Sequence, residues 1–167
     1  MNPNKALWEK GDFTRIAESM RESGERLVAG LGITNGLKVL DLGCGDGTTA
    51  IPEAKLGADV LVIDHHQADE ELPKAVALVN PNRADDLSGL GYLCAAGIVF
   101  MTLVALTREL RGRDFFNTAR PAPDLLSMLH LVALGTVADV VPLKGLNRAF
   151  VAKGLIARAL ADTLPGS

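Results

Sequence analysis

The feature that most constrains the fold is a compact unit of strand, glycine-rich loop, helix and strand in residues 38–63. Residues 38–42 form a short apolar run, residues 43–47 hold three glycines, and residues 48–56 have the pattern of a short helix that ends at Gly57. A second apolar run follows at residues 59–63. A unit this short is typical of a crossover between neighbouring parallel strands. It predicts a small Rossmann-like α/β fold.

The remaining pattern extends this prediction to a three-layer domain, with a parallel sheet of about three strands flanked by helices. Asp12 is a suitable N-cap for an amphipathic helix that runs to Leu31, a third strand is expected at residues 75–79, and a long buried helix at residues 93–110. Helices at residues 124–134 and 146–160 follow. We expect one domain over residues 1–167, with a frayed tail at residues 161–167.

Composition and charge exclude several classes of protein. Hydrophobic residues make up 48% of the chain, charged residues 22%, and the net charge is −3. Without clustered Lys and Arg we expect no strong nucleic-acid binding. The uncharged stretch at residues 87–107 is long enough to span a membrane, but glycines interrupt its start, so we expect no membrane helix. Two cysteines form no disulfide framework, which indicates a reducing compartment, the cytoplasm.

A loop rich in glycine and a following acid indicate a nucleotide-cofactor site. In Asp41-Leu42-Gly43-Cys44-Gly45-Asp46-Gly47 the glycines let the backbone approach a ligand and leave amide N–H groups facing it. Asp64 stands at the carboxyl end of the next predicted strand, where a carboxylate can accept both hydroxyls of a ribose. The alternative is that the glycines serve only a tight turn between strand and helix.

Two stretches carry a resemblance to a cofactor-dependent family. They are Asn4-Lys5-Ala6-Leu7-Trp8-Glu9 and Val39-Leu40-Asp41-Leu42-Gly43-Cys44-Gly45-Asp46-Gly47-Thr48-Thr49. Residues 1–60 thereby resemble the N-terminal part of class I S-adenosylmethionine-dependent methyltransferases. The resemblance implies that Asp41, Gly43, Gly45 and Gly47 surround the methionine moiety of S-adenosylmethionine, and that Asp64 holds its ribose. The strands that complete the adenine pocket in that family do not follow, so we expect at most weak S-adenosylmethionine binding.

The second predicted strand of the crossover ends in Asp64-His65-His66. Imidazole and carboxylate groups are ligands for first-row metals, and His also acts in proton transfer near neutral pH. Three such residues together at the carboxyl edge of a sheet indicate a metal or catalytic site. The alternative is a polar loop with two exposed histidines.

Residues 61–160 carry a second resemblance, through Val62-Ile63-Asp64-His65-His66, Val79-Asn80-Pro81-Asn82, Gly97-Ile98-Val99-Phe100 and Leu134-Gly135-Thr136-Val137-Ala138-Asp139-Val140-Val141-Pro142-Leu143. These motifs resemble those of the RecJ single-strand-specific exonucleases of the DHH phosphoesterase family. The resemblance implies two-metal hydrolysis of a phosphodiester. His65 and Asp139 would be manganese or magnesium ligands, His66 would face the scissile phosphate, and Asp64 would support the site. Asp46 would replace an acid on the preceding strand, with its register off by one.

Neither resemblance supplies a complete site, because the paired aspartates that bridge two metals in the DHH family have no counterpart upstream. The sequence therefore favours an artificial or recombined chimeric α/β scaffold without native catalysis, with remnants of a cofactor site and a metal site. The alternatives are a metal-dependent DHH-type phosphoesterase or single-strand DNA exonuclease, and an S-adenosylmethionine-binding methyltransferase-like domain. A sheet of about three strands leaves its edges unpaired, which favours a homodimer through the exposed sheet edge.

Overall fold

The computed structural model describes residues 13–68 and 72–161. Its contacts divide the chain into two compact units, Met1–Gly91 and Tyr92–Ser167, and each unit is described by itself. The motif at residues 4–9, the expected cap Asp12 and the tail at residues 162–167 lie outside the described residues. The elements are α1 (Phe13–Gly30), β1 (Lys38–Leu42), α2 (Ala50–Lys55), β2 (Asp59–Ile63), β3 (Ala77–Val79), α3 (Ala95–Gly112), a 3-10 turn (Leu126–Met128), α4 (Leu129–Ala138) and α5 (Gly145–Ala161).

The first unit is built on a parallel sheet in which β2 lies between β1 and β3. Lys38 pairs with Asp59, and Ile63 pairs with Leu42 on one side and Val79 on the other. Because α2 connects β1 to β2, the two strands run in the same direction and their carboxyl ends lie together. This confirms the predicted small α/β fold with a three-stranded parallel sheet and flanking helices. The third strand begins at Ala77 and is shorter than expected.

Burial differs sharply between the strands of this sheet. Val60, Val62 and Ile63 of the central strand are buried. On β1, by contrast, Leu40 is 56% exposed and Leu42 is 51% exposed. The first strand is therefore an edge strand with an open apolar face among the described residues. The homodimer through such an edge stays a prediction.

The second unit consists of helices, with α4 packed closely along α5. The rings of Phe100 on α3 and Phe150 on α5 meet edge to face, with centroids 5.4 Å apart. The expected burial of residues 93–110 is confirmed for the first half of α3, where Ile98 and Phe100 are buried. In the second half, Leu106 is 49% exposed.

A buried carboxamide fixes the start of α5. Asn147 has no exposed surface, and its Nδ2 donates to the carbonyl oxygens of Tyr92, at 2.7 Å, and Pro142, at 3.0 Å. These bonds tie the beginning of the unit to its last helix. Within the part of the chain that the structure describes, no helix is long and apolar enough to cross a membrane.

Candidate functional site

Three loops meet at the carboxyl edge of the sheet in the first unit, because each follows one of the parallel strands. The backbone N–H of Gly43, after β1, donates to the carbonyl of Ile63 at 2.7 Å. The N–H of Asp64, after β2, donates to the carbonyl of Val79 at 3.0 Å. These bonds continue the ladder of the sheet by one residue and hold the loops together. The predicted acids and imidazoles therefore share one edge with the glycine loop.

Asp64 is the most constrained side chain at this edge, with 4% of its surface exposed. Its Oδ1 lies 2.9 Å from Nδ1 of His66, and its Oδ2 lies 3.3 Å from the backbone nitrogen of His66. The backbone amides of His65 and Gly45 lie near this carboxylate and also favour its ionised form. Burial alone would raise the pKa of Asp64, but the bonds and charge of His66 and the two N–H groups bring it below its usual value. Asp64 is therefore ionised at neutral pH.

The orientation of His66 follows from this contact. An ionised carboxylate accepts only, so Nδ1 of His66 must carry the proton that it donates to Asp64. In the neutral ring the lone pair then lies on Nε2. The ring of His65 lies beside that of His66, with centroids 4.5 Å apart and planes tilted by 56°. Both side chains are half-buried. The pair presents two imidazoles from consecutive positions at the strand end.

Two asparagines after β3 hold the backbone that carries these imidazoles. Nδ2 of Asn80 donates to the carbonyl of His66 at 2.9 Å, and Nδ2 of Asn82 donates to the carbonyl of His65 at 2.5 Å. Sequence reasoning placed Asn80-Pro81-Asn82 in a family motif but assigned it no role. A signal was present, since an Asn-Pro-Asn turn at a strand end supplies two carboxamides to the neighbouring loop.

The glycine loop is ordered by bonds within the chain. Oγ1 of Thr49 donates to Oδ2 of Asp41 at 2.6 Å, and the N–H of Gly47 donates to the carbonyl of Cys44 at 2.9 Å. Gly43, Gly45 and Gly47 all have positive φ angles, of 72°, 53° and 76°, which L side chains rarely adopt. A Cβ on Gly45 would lie 3.9 Å from Cε1 of His66. The loop thus approaches the imidazole closely, and the predicted cofactor contacts of Asp41 and these glycines stay a prediction.

Cys44 stands in this loop among carboxylates. Burial, followed by the charges of Asp64, Asp41 and Asp46, raises the pKa of its thiol to about 12. The thiol is therefore protonated at physiological pH and is neither a nucleophile nor a strong metal ligand.

The predicted metal ligands are distributed over both units. In the first unit, Asp46 lies 3.7 Å from Nη2 of Arg21 on α1, so its carboxylate already faces a cation. In the second unit, Asp139 follows the end of α4, where its N–H donates to the carbonyl of Gly135 at 3.0 Å. Across residues 13–68 and 72–161, no three or more His, Cys, Asp and Glu side chains form a group that could hold a metal ion. The donor types fit a divalent cation, whereas their number does not build a two-metal centre.

The central strand of the small parallel sheet ends in Asp-His-His, and the similarity of the chain to known proteins agrees with this motif. The family model described as "DHH family, N-terminal domain" matches residues 12–136. The chain belongs to the DHH family. No solved structure matches the chain significantly.

The curated relatives of the chain include several proteins named single-stranded-DNA-specific exonuclease RecJ. The protein of Dickeya dadantii is 41% identical over 111 residues, which are 66% of this chain and 19% of the relative. That of Haemophilus influenzae is 37% identical over 158 residues, 92% of this chain and 25% of the relative. That of Thermus thermophilus is 33% identical over 141 residues, which are 84% of this chain and 18% of the relative. The chain therefore spans a quarter or less of the length of these relatives.

These similarities overturn the hypothesis of an artificial or recombined chimeric scaffold without native catalysis. The family match begins at residue 12, so it includes α1, β1 and the glycine loop that had suggested a methyltransferase segment. One relative aligns over 92% of the chain. The hypothesis was wrong because strand, turn, helix and a second strand ending in Asp form a local pattern that both families share. Nothing in these similarities supports a methyltransferase part or S-adenosylmethionine as its ligand.

Proposed function

We propose that this chain forms the imidazole-bearing side of a DHH-type phosphoesterase centre that cleaves single-stranded DNA. The observation that carries the proposal is the bond between Nδ1 of His66 and the buried carboxylate of Asp64. An imidazole fixed by a buried carboxylate at the end of a parallel strand is an arrangement suited to phosphate chemistry. Family membership and the names of the curated relatives support the reaction class and the substrate.

Asp64 and His66 have separate roles in this proposal. Asp64 accepts the Nδ1 proton, which fixes the tautomer and the ring plane of His66. When Nε2 is protonated as well, His66 donates that N–H to an oxygen of the scissile phosphate, where the imidazolium binds the group and stabilises developing negative charge, with Asp64 facing the Nδ1 side of the ring. Asp64 does not touch the substrate in this proposal, because its carboxylate is buried and is already hydrogen-bonded to the ring and the backbone nitrogen of His66.

His65, in the first unit, would be a ligand for a divalent cation, Mn²⁺ or Mg²⁺. When bound, such an ion neutralises charge on the phosphate and activates water. In the same unit Asp46 faces Arg21, so its carboxylate would have to turn from the guanidinium to bind a cation. Asp139 lies in the second unit, and its part as a ligand stays a prediction. The cation therefore depends first on the imidazole of His65, which comes from the strand end that Asp64 stabilises.

Binding of Mn²⁺ tests this proposal without relying on turnover. Electron paramagnetic resonance of free Mn²⁺ in a titration should show binding to the protein, and His65→Ala should weaken that binding by about 10-fold or more. His130→Ala is the matched control, because His130 lies on α4, where its Nδ1 is 2.7 Å from the carbonyl of Ser127. Absence of binding to the unaltered protein, or equal binding by the His65 variant, would contradict the proposal.

A further inference from the structure

The segment after β3 is organised around two carboxamides with complementary bonds. Asn80 is 6% exposed and uses both ends of its side chain, because Oδ1 accepts the N–H of Asn82 at 2.8 Å while Nδ2 donates to the carbonyl of His66 at 2.9 Å. Pro81 between them has a fixed φ angle and no N–H to compete for these acceptors. The turn thus delivers one carboxamide to each of the two histidines.

The carboxamide of Asn82 lies between the backbone of His65 and Gly91. Nδ2 of Asn82 reaches the carbonyl of His65, and a Cβ on Gly91 would overlap Oδ1 of Asn82. Only a residue without a side chain leaves space for the amide at that position. Gly91 therefore leaves the room that the carboxamide of Asn82 occupies beside the backbone of His65.

An ion pair locks the chain that follows this turn. Nη1 of Arg83 donates to the carbonyl of Leu78 at 2.6 Å, while its Nε and Nη2 form a two-point contact with Asp85 at 2.9 Å and 2.6 Å. The guanidinium thereby connects the end of β3 to the loop beyond Asn82. Two parallel bonds between a planar guanidinium and a carboxylate fix the orientation of the two groups as well as the distance between them.

The carbonyls that these asparagines hold belong to the residues that carry the imidazoles. Rotation of either peptide would swing the Cα–Cβ bond of the attached histidine and displace its ring. Asp64 contacts His66 through Nδ1 of the ring and through the backbone nitrogen. The two asparagines add a restraint on the carbonyl of each histidine.

We propose that Asn80 and Asn82 are positioning residues, which fix His66 and His65 respectively for the phosphoesterase centre; this inference rests on the proposed function. Neither asparagine touches substrate. Each acts through a histidine, and the two act separately, so that loss of one donor disturbs mainly the imidazole whose carbonyl it held. A role confined to holding the turn together would not discriminate between the two rings.

The test compares imidazole spectra of the metal-free protein. Long-range ¹H–¹⁵N correlation spectra near neutral pH resolve the ring nitrogens of the three histidines, with His130 as an internal reference. Asn80→Asp keeps Oδ1 as an acceptor but removes the donor to His66, and Asn82→Asp removes the donor to His65. We expect shifted or split ring signals for His66 in the first variant and for His65 in the second, with His130 unchanged in both.

Further variants separate positioning from charge and from general destabilisation. Asn82→Leu removes the same donor without adding a carboxylate, so it should disturb the His65 signals as Asn82→Asp does. Asn147→Asp is the matched control, since Asn147 is also buried and also donates to backbone carbonyls, but in the second unit. Asn82 is half-buried and Asn80 is buried, so variants of Asn82 should destabilise the fold less than variants of Asn80.

The outcomes distinguish this inference from the function on which it rests. Mn²⁺ affinity should fall by about 10-fold or more in the Asn82 variants and stay unchanged in Asn147→Asp. Unaltered histidine signals in the Asn80 and Asn82 variants, or equal disturbance by Asn147→Asp, would overturn the positioning role. If the unaltered protein binds no Mn²⁺, the proposed function fails, while the spectra of the metal-free protein still decide whether the asparagines position the rings.

Discussion

Gly45, in the loop after β1, closely approaches His66, in the loop after β2, because a Cβ on Gly45 would lie 3.9 Å from Cε1 of the imidazole. Nδ1 of the same imidazole is held by the buried carboxylate of Asp64, at 2.9 Å. The glycine loop, whose sequence suggested a nucleotide site, therefore contacts the imidazole of His66. A substitution in this loop should change the position of that imidazole.

Replacing Asp64 by Asn should impair the site more than the fold. The amide cannot hold Nδ1 of His66 as an ionised acceptor, so both the tautomer and the ring plane lose their restraint. We expect Mn²⁺ affinity or phosphodiester cleavage to fall by about 10- to 100-fold. Asp59→Asn, at the exposed start of the same strand, is the control. Equal activity of the two variants would show that the contact has no functional role.

Glu53 on α2 should make stability depend on pH. It is 5% exposed, and burial, then the charge of Asp41, raises its pKa above the usual 4.5. Ionising it therefore costs free energy, so its contribution to stability is complete below pH 4.5 and is lost as the pH rises through its folded value. Glu53→Gln should raise the free energy of unfolding at pH 7 and make no difference below pH 4.5.

Urea denaturation at the two pH values measures this effect. Glu25→Gln, an exposed change on α1, serves as the control and should leave stability nearly unchanged at both. A Glu53→Gln protein that is less stable than the unaltered protein at pH 7 would contradict the effect, because it would mean that ionised Glu53 is stabilising.

Local pattern predicted the strands well and the site only in part. β1 and β2 begin and end where their apolar runs meet turn residues, so their bounds could be read from the sequence. The open face of β1 could not, because exposure of Leu40 depends on what packs against it. The contact of Asp46 with Arg21 could not be predicted either, because Arg21 lies on α1, many residues earlier in the chain. Partners across the chain are set by tertiary packing rather than by spacing.

The roles of Asn80 and Asn82 show the same limit. The Asn-Pro-Asn sequence indicates a turn that carries two carboxamides. Which carbonyls those carboxamides reach depends on the register of β3 beside β2, which the motif does not encode. The sequence could indicate the imidazoles as functional, but not what holds them.

S-adenosylmethionine should bind weakly or not at all. Asp64 is buried and its carboxylate is already hydrogen-bonded to His66, so it is not open to two ribose hydroxyls, and Asp41 already accepts the hydroxyl of Thr49. Isothermal titration with S-adenosylmethionine up to about 1 mM should therefore show no saturable heat. A dissociation constant of about 1 mM corresponds to a binding free energy of about −4 kcal/mol. A micromolar dissociation constant would show that the loop rearranges to admit the cofactor.

Phe100 should be central to the stability of the second unit. It is 7% exposed and meets the ring of Phe150 edge to face. Phe100→Ala should lower the free energy of unfolding by about 3 to 5 kcal/mol, measured by denaturant titration. Phe115→Ala, at a ring that is 39% exposed, should cost clearly less. A loss below about 1 kcal/mol for Phe100→Ala would place α3 outside the core.

Cleavage of a labelled single-stranded oligonucleotide tests the proposed function most directly. The unaltered chain, His66→Gln and His130→Gln are incubated with the oligonucleotide in Mn²⁺, in Mg²⁺ and in chelator, with the duplex form in parallel. We expect metal-dependent cleavage of the single strand by the unaltered chain and by His130→Gln, and at least about a 10-fold loss in His66→Gln. Cleavage that is absent from all three proteins, or that persists equally in His66→Gln, would contradict a DHH-type phosphoesterase centre built on Asp64 and His66.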